Sequence, residues 1–434
     1  PQLSLHYVKV IAKNLGHLYN MKKNKTVAIV GAGIVGLSCA LWLQKKGFTA
    51  ILIDPEQPGS GTSSGNACTI ADYGCIPVNS PDIFRRLPSL LFSNDSPLTV
   101  NHRYALTHLP WLLKFLFNCR PSRVAKITES LGAILQKSYQ GLNPLLELSD
   151  SQHLMSQRGC MYVYKTQAEY ESARVNNEIR RQHGSEYIEL DRTDIQRLEP
   201  GIKPIFERGI LFESTSQTLN PQSLCTRYFN SFLKNKGQYV SHRVNETIAD
   251  GDMVKLQLDN AQSLVVDHVV IAAGAFSKQI KGTGTGQLPL DTERGYHIQY
   301  SNLQAKVNRP ISWNQAGFYA TPMNEGLRIA GTVEIAGYNP KKNQRNLDYL
   351  ARKAGEMFDL PSQPDQEWLG FRPTLPDALP VIGHSSESKH ILLAFGHQHL
   401  GLTLSGITGK LISELVNSEP LSLDIAAFSP DRFH

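Results

Sequence analysis

The stretch Thr26-Val-Ala-Ile-Val-Gly31-Ala-Gly33-Ile-Val-Gly36-Leu37, followed as far as Asp54, decides the fold. Residues 26–30 are a short β-branched run of the kind that forms a buried strand. Residues 37–46 carry apolar Leu37, Ala40, Leu41 and Leu43 at helical spacing, and Gly47 stops them. Residues 49–53 form a second apolar strand that ends at Asp54. Each glycine has a physical task. Gly31 permits the tight turn, Gly33 lets a pyrophosphate approach the backbone, and Gly36 lets the helix lie close to the strand. The N–H groups around Ala32, Ile34 and Val35, at the positive end of the helix dipole, then face the phosphates. Asp54, 18 residues past Gly36, is in range of a ribose hydroxyl. Strand, glycine turn, helix, second strand and acid in register predict a bound dinucleotide.

The chain has 434 residues, which predicts two domains or one elaborated domain. Forty-four basic and 38 acidic residues give a net charge of +6, without a stripe of Lys and Arg interleaved with aromatics, so nucleic acid is not an expected partner. The six cysteines, Cys39, Cys68, Cys75, Cys119, Cys160 and Cys225, form no metal pattern. They fit a reducing, cytoplasmic compartment, and Cys39 in the first helix reads as a packed small apolar residue. No run approaches the roughly 20 apolar residues of a membrane-crossing helix. Residues 1–20 lack the apolar core of a signal peptide; they read as an extension outside the fold, or as a small interfacial helix.

A Gly/Ser-rich loop, residues 58–66, follows Asp54. Residues 83–118 are unusually apolar, in two pieces at 83–92 and 110–117, flanked by Arg85, Arg86, Lys114 and Arg120. Two readings stay open: the core of a helical lobe, or a patch lying on the inner face of a membrane. A long helix is expected over 122–150, a short one over 193–199, and one from Asn220-Pro221 to about residue 234, with Asn220 as its cap. Strand patterns cover 239–244, 254–258 and 264–271, the last breaking into Ala273 and Gly274. Further strands at 295–300, 317–321 and 327–332 suggest an antiparallel α+β region. A final helix is expected over 402–416.

Several blocks, in order, carry a family resemblance. They are the Val-Gly-Ala-Gly-Ile-Val-Gly-Leu turn, Thr62-Ser63-Ser-Gly-Asn66-Ala67, Val269-Val-Ile-Ala-Ala-Gly274, Arg294-Gly-Tyr296, Gly331-Thr-Val-Glu-Ile-Ala-Gly-Tyr-Asn339, Gly370-Phe-Arg-Pro373 with its continuation to Gly383, and Gly396-His-Gln-His-Leu-Gly-Leu-Thr403. From about residue 25 onward the chain resembles the D-amino-acid oxidase superfamily of flavoproteins, most closely the D-amino-acid dehydrogenases of the small-subunit type. The resemblance implies FAD, an α/β Rossmann-like FAD domain from residues 21–80, 200–280 and 365–434, and a discontinuous antiparallel α+β substrate domain from 81–199 and 281–364. The sequence agrees on the cofactor in one independent way: no second glycine fingerprint follows a strand and opens a helix, since Gly282-Thr-Gly-Thr-Gly286 lacks that context.

The resemblance also implies the roles of single residues. Arg372, in Gly-Phe-Arg-Pro, would grip a substrate carboxylate, because a guanidinium fork matches it bidentately. Gly396 to Thr403, with Leu400, Gly401 and Leu402, would present a helix N-terminus to the flavin. His399 would stand beside the substrate, and His397 is read as structural. Tyr296 and Tyr319 are candidate pocket walls, with His297 on the opposite strand face from Tyr296, and Glu334 is a weaker candidate to orient an ammonium. Thr62, Ser63, Asn66 and Ala67 would contact the pyrophosphate and ribityl chain, Val244 the adenine, and Ala273 and Gly274 the adenosine. The implied reaction is deamination of a D-amino acid with electrons passed to a respiratory quinone. The rivals are an oxygen-using oxidase of glycine, sarcosine or a cyclic imino acid such as D-hydroxyproline, a flavin domain acting on a modified RNA base, and a flavin-bound scaffold without turnover.

Overall fold

The computed structural model describes residues 25–81, 95–303 and 306–433. The expectations for residues 1–20 and for the apolar piece at 83–92, with Arg85 and Arg86, lie outside the described residues.

Strand Thr26–Val30 has parallel neighbours on both sides, Thr49–Ile53 and His268–Ile271. The sheet continues to Gln238–Val240 at one edge, and through Ile391–Phe395 to the antiparallel Val381–His384 at the other, six strands in all. Successive side chains on a strand face opposite ways. Val27 and Ile29 therefore pack into a core formed with helices Ile34–Lys45, Pro221–Lys234 and Gly401–Val416. Ala28 and Val30 pack against a three-stranded antiparallel sheet, Val244–Asp250, Met253–Leu258 and Ser263–Val266. Two small-residue crossings bring the helices together. A Cβ on Gly409 would lie 2.7 Å from the Ser38 carbonyl carbon, and one on Gly406 would lie 2.5 Å from that of Gly141.

The second large sheet is mostly antiparallel. Its order is Gln366–Thr374, Asp291–Ser301, Gly326–Ile335, Phe318–Met323, Ile311–Trp313, Cys160–Tyr164, Arg208–Phe212 and Ile188–Asp191, with Leu98–Val100 alongside Gly326–Ile335. Helix Gln344–Met357 buries Leu347, Leu350 and Met357 in one core with Tyr296, Ile298 and Tyr300. No helix among the described residues is long and apolar enough to cross a membrane.

Several expected elements divide where the chain changes layer. The helix expected over 122–150 is two, Pro121–Leu135 and Ser138–Leu148. The strand expected over 264–271 is also two, Ser263–Val266 in the small sheet and His268–Ile271 in the parallel one. Between them Asp267 accepts the Thr26 N–H at 2.7 Å, which pins the crossing. The run at 239–244 divides likewise. Arg208–Phe212 and Gln366–Thr374 join the antiparallel sheet, because their partners are Cys160–Tyr164 and Asp291–Ser301. Helices Pro121–Leu135 and Ser138–Leu148, expected with the substrate part, contribute Ile127, Leu131, Leu142 and Leu145 to the core under the parallel sheet.

Candidate functional site

A cavity of about 1280 Å³ runs from the glycine turn to the antiparallel sheet. At the first end the chain leaves Val30 through Gly31, whose φ of +109° and the Ala272 carbonyl oxygen 2.4 Å from where a Cβ would lie together admit only glycine. Gly36 sits behind the turn, where a Cβ would meet the Gly31 oxygen at 1.9 Å; it shapes the cradle without lining it. Ala32, Gly33, Ile34 and Val35 line the cavity. The Ala32 N–H donates to Asp54 Oδ2 at 2.7 Å, and the Ile34 N–H donates to Ser63 Oγ at 2.9 Å. The Gly33 and Val35 amides have no hydrogen-bond partner among the described residues, leaving free donors at a helix N-terminus.

Asp54 lines the cavity while its other oxygen accepts the Glu56 N–H, and burial pushes its carboxyl above the usual range. Val244, Ala273 and Gly274 line the same end, and Thr62, Ser63, Asn66 and Ala67 line the middle. That loop is fastened to the antiparallel sheet. Thr62 Oγ1 donates to the Phe371 carbonyl at 2.9 Å, and Arg328 donates to the carbonyls of Ser64 and Asn66.

At the far end, Arg372 lies directly across from Glu293 on the neighbouring antiparallel strand. Its guanidinium covers Gly295, where a Cβ would lie 2.4 Å from Cζ, and its Nη1 donates to the Thr332 carbonyl at 3.0 Å. Arg372, His399 and Tyr319 all line the cavity. His399 is open to the lumen but walled by protein; that enclosure, with the charge of Arg372, holds its pKa down to about 4. Tyr319 hydrogen-bonds to the Tyr162 hydroxyl at 2.8 Å, and burial raises its pKa. His397 bonds Thr408 Oγ1 at 2.9 Å and also lines the cavity.

Not every expected residue reaches the cavity. Gly401 and Leu402 line it, whereas Gly396, Leu400 and Thr403 stand behind. Gly396 makes a turn at φ +85°, Leu400 packs near Gly74, and Thr403 Oγ1 accepts the Ala71 N–H. Tyr296 is the clearest correction. Its strand turns Glu293 and Gly295 to the Arg372 side and Tyr296 to the opposite face, where its hydroxyl donates to Glu334. Glu334 is itself paired with Arg294 and bonded by Asn343 Nδ2, so it has no free edge for a substrate. His297 does face away from Tyr296, stacking on Trp368 and bonding the Gly65 carbonyl. Sequence reasoning missed Glu293, an acid in a strand buried along almost its whole length. It also missed the mouth helix His102–Thr107, and that the apolar piece at 110–117, here the helix Leu109–Asn118, stands at the mouth beside it; Tyr104 fastens the first to Asp291 and Trp111 the second to the Pro289 carbonyl.

The chain matches the family described as DAO, FAD dependent oxidoreductase, over residues 26–415. It is 31% identical over 421 residues to a D-amino-acid oxidase of Bradyrhizobium diazoefficiens, covering 95% of this chain and all of the relative. It is 27% identical to a D-amino acid dehydrogenase of Paramagnetospirillum magneticum, covering 94% and 98% of the two chains. Its fold resembles that of glycine oxidase from Geobacillus kaustophilus, with a TM-score of 0.72, 18% identity, and 93% and 98% of the two chains covered. The cofactor of the family is FAD, and the cavity fits it. The free amides of the glycine turn suit a pyrophosphate, Asp54 a ribose, and the volume exceeds the roughly 300–1000 Å³ of ordinary small-ligand pockets, leaving room for a cofactor and a small substrate together. With the family match spanning nearly the whole described chain, this protein belongs to the FAD-dependent oxidoreductases of the DAO family.

Proposed function

We propose that this enzyme oxidises D-amino acids to imino acids, which hydrolyse to 2-oxo acids and ammonia, and that its electrons pass to a quinone-class acceptor. The observation that carries the reading is Arg372, a guanidinium that lines the cavity and makes one hydrogen bond, from Nη1 to the Thr332 carbonyl. Relatives named D-amino-acid oxidase and D-amino acid dehydrogenase match almost the full chain, which supports the D-series.

When bound, FAD supplies the two-electron acceptor. The chain's own residues bind, orient and enclose. Arg372 fixes the substrate carboxylate, so Cα–H is presented in one orientation. His399, held neutral by its surroundings, adds a hydrogen-bonding edge without a second positive charge. Tyr319 and Ser312 bound the side-chain space. Thr62, Ser63, Asn66 and Ala67 are assigned to the cofactor's middle, Val244, Ala273 and Gly274 to its adenosine end, and Gly401 and Leu402 to its flavin end. In this reading the parallel sheet and its helices form the FAD domain, and the antiparallel sheet the substrate domain.

The quinone assignment is supported by the rim of the cavity. Leu106, Leu109 and Leu113 both line it and stand exposed, with exposed Phe117 and the cations Lys114 and Arg120 beside them. Such a surface suits a lipid-soluble acceptor and peripheral contact with an anionic membrane. A second reading keeps the site and changes the acceptor to oxygen, since the 31% identical relative is named an oxidase. Glycine, sarcosine and cyclic imino acids are its alternative substrates.

The test is anaerobic bleaching of the flavin spectrum by D-alanine, D-proline, cis-4-hydroxy-D-proline, glycine, sarcosine and the matching L-amino acids. Bleaching by D-isomers, reversed by a quinone analogue and poorly by air, is the expected result. Rapid recovery in air with peroxide release would move the assignment to the oxidase. Absence of bleaching by every amino acid would overturn it.

A further inference from the structure

We infer that Glu293 is the amine anchor of the substrate site: with Arg372 it forms a two-point clamp for a zwitterion, the guanidinium taking the carboxylate and the Glu293 carboxylate taking the α-ammonium.

Glu293 lines the cavity, is only 8% exposed, and makes no hydrogen bond or ion pair with any described residue. A buried carboxylate with no hydrogen bond, offset only by the charge of Arg372 across the strand, is costly, so its persistence calls for a donor of opposite charge in the cavity. Glu293 and Arg372 are direct cross-strand partners, and such residues have Cβ atoms about 5 Å apart. Two such side chains can close into an ion pair. They do not. The Arg372 guanidinium instead extends over Gly295, two residues along the strand, and bonds Thr332. A cation and an anion thus line one cavity side by side, with their heads apart. An α-amino acid carries both opposite charges on one carbon, the pair of charges that such a lining can take. Asp291, the other acid on this strand segment, is held by Tyr104, and Glu334 by Arg294, which leaves Glu293 as the acid available here. Burial raises the Glu293 carboxyl while the Arg372 charge opposes the rise, so a cationic ligand restores its ionised form.

The inference rests on the amino-acid reading above, and its test separates the two. The probes are 2-aminoisobutyrate and 2-hydroxyisobutyrate, which share shape and carboxylate, differ in the amine, and cannot be oxidised because they lack an α-hydrogen. Their binding to the FAD-loaded enzyme is measured by calorimetry and by the shift of the visible flavin spectrum. The Glu293→Gln variant is expected to weaken the amino acid by about ten- to a hundredfold while leaving the hydroxy acid unchanged or tighter. Glu293→Asp should recover part of the loss, and it serves as the second variant if the glutamine variant folds poorly. Equal changes for both probes would reduce Glu293 to a counter-charge for Arg372, and no change would remove it from the site; either overturns the inference and leaves the oxidase or dehydrogenase reading standing. Failure of the wild type to bind either probe, with no bleaching by any amino acid of the panel, would overturn both.

Discussion

At the scale of single residues, the substrate end is set by how Arg372 is held. Its guanidinium lies where a Cβ on residue 295 would be, so Gly295→Ala must push it aside. We expect that variant to keep its flavin and to raise KM for the amino acid at least about tenfold, the order of one charge-assisted hydrogen bond. Arg372→Lys loses the bidentate fork and should cost about a hundredfold in kcat/KM, read from the rate of anaerobic bleaching. That Arg372 and His399 line the cavity was legible, the first from Gly-Phe-Arg-Pro and the second from its place before the last helix. Tyr296 was not, because which face of a strand meets the cavity depends on pairing register, and a one-residue slip exchanges the faces. The pairing with Gly326–Ile335 shifts between Arg294 and Tyr296, at the residues in question. Glu293 was hidden for a related reason: its significance comes from lying opposite a residue 79 positions away, and no local pattern records that.

At the scale of elements, periodicity and caps predicted existence well and continuity poorly. The helix Pro221–Lys234 begins where Asn220 predicts, with the Asn220 side chain accepting the Ser223 N–H at 2.9 Å. The first helix begins at Ile34, earlier than its apolar periodicity shows, because the glycine turn supplies its first residues. The patterns at 239–244 and 264–271 each read as a single strand, yet each changes sheet midway, since strand character says that a residue is extended but not in which layer it pairs. The helix crossings carry their own prediction. Gly406 meets Gly141 backbone to backbone, and the helix holding Gly406 opens at the residues facing the cavity. Gly406→Val forces two helices apart. Overpacking of this kind costs about 1–3 kcal/mol, so thermal unfolding should shift down by several degrees and flavin should be retained less well through gel filtration.

At the scale of the whole molecule, burial sets the response to acid. His268, His297 and His397 are each under 10% exposed, and burial lowers their pKa values to about 4, 3 and 3. The unfolded chain takes up these protons near pH 6.5, whereas the native state refuses them. Their contribution is therefore present above pH 6.5 and is lost as the pH falls toward 4, by up to about 1.4 kcal/mol per pH unit for each histidine. Asp72 and Glu199, whose carboxyls burial raises, act with the opposite sign. Comparing wild type with His397→Gln removes that contribution, and the variant should show the shallower fall in Tm between pH 7 and 5. The parallel sheet also imposes an order in time. Its first strand pairs with His268–Ile271, which pairs in turn with Ile391–Phe395, and the helix Gly401–Val416 seats on Ile34–Lys45. On the ribosome, where N-terminal segments emerge first, the glycine turn appears hundreds of residues before the strand and helix that close around it. A nascent chain halted before residue 391 holds an unfinished cradle, so the same topology that builds the cofactor site also reserves the cofactor for chains translated through it.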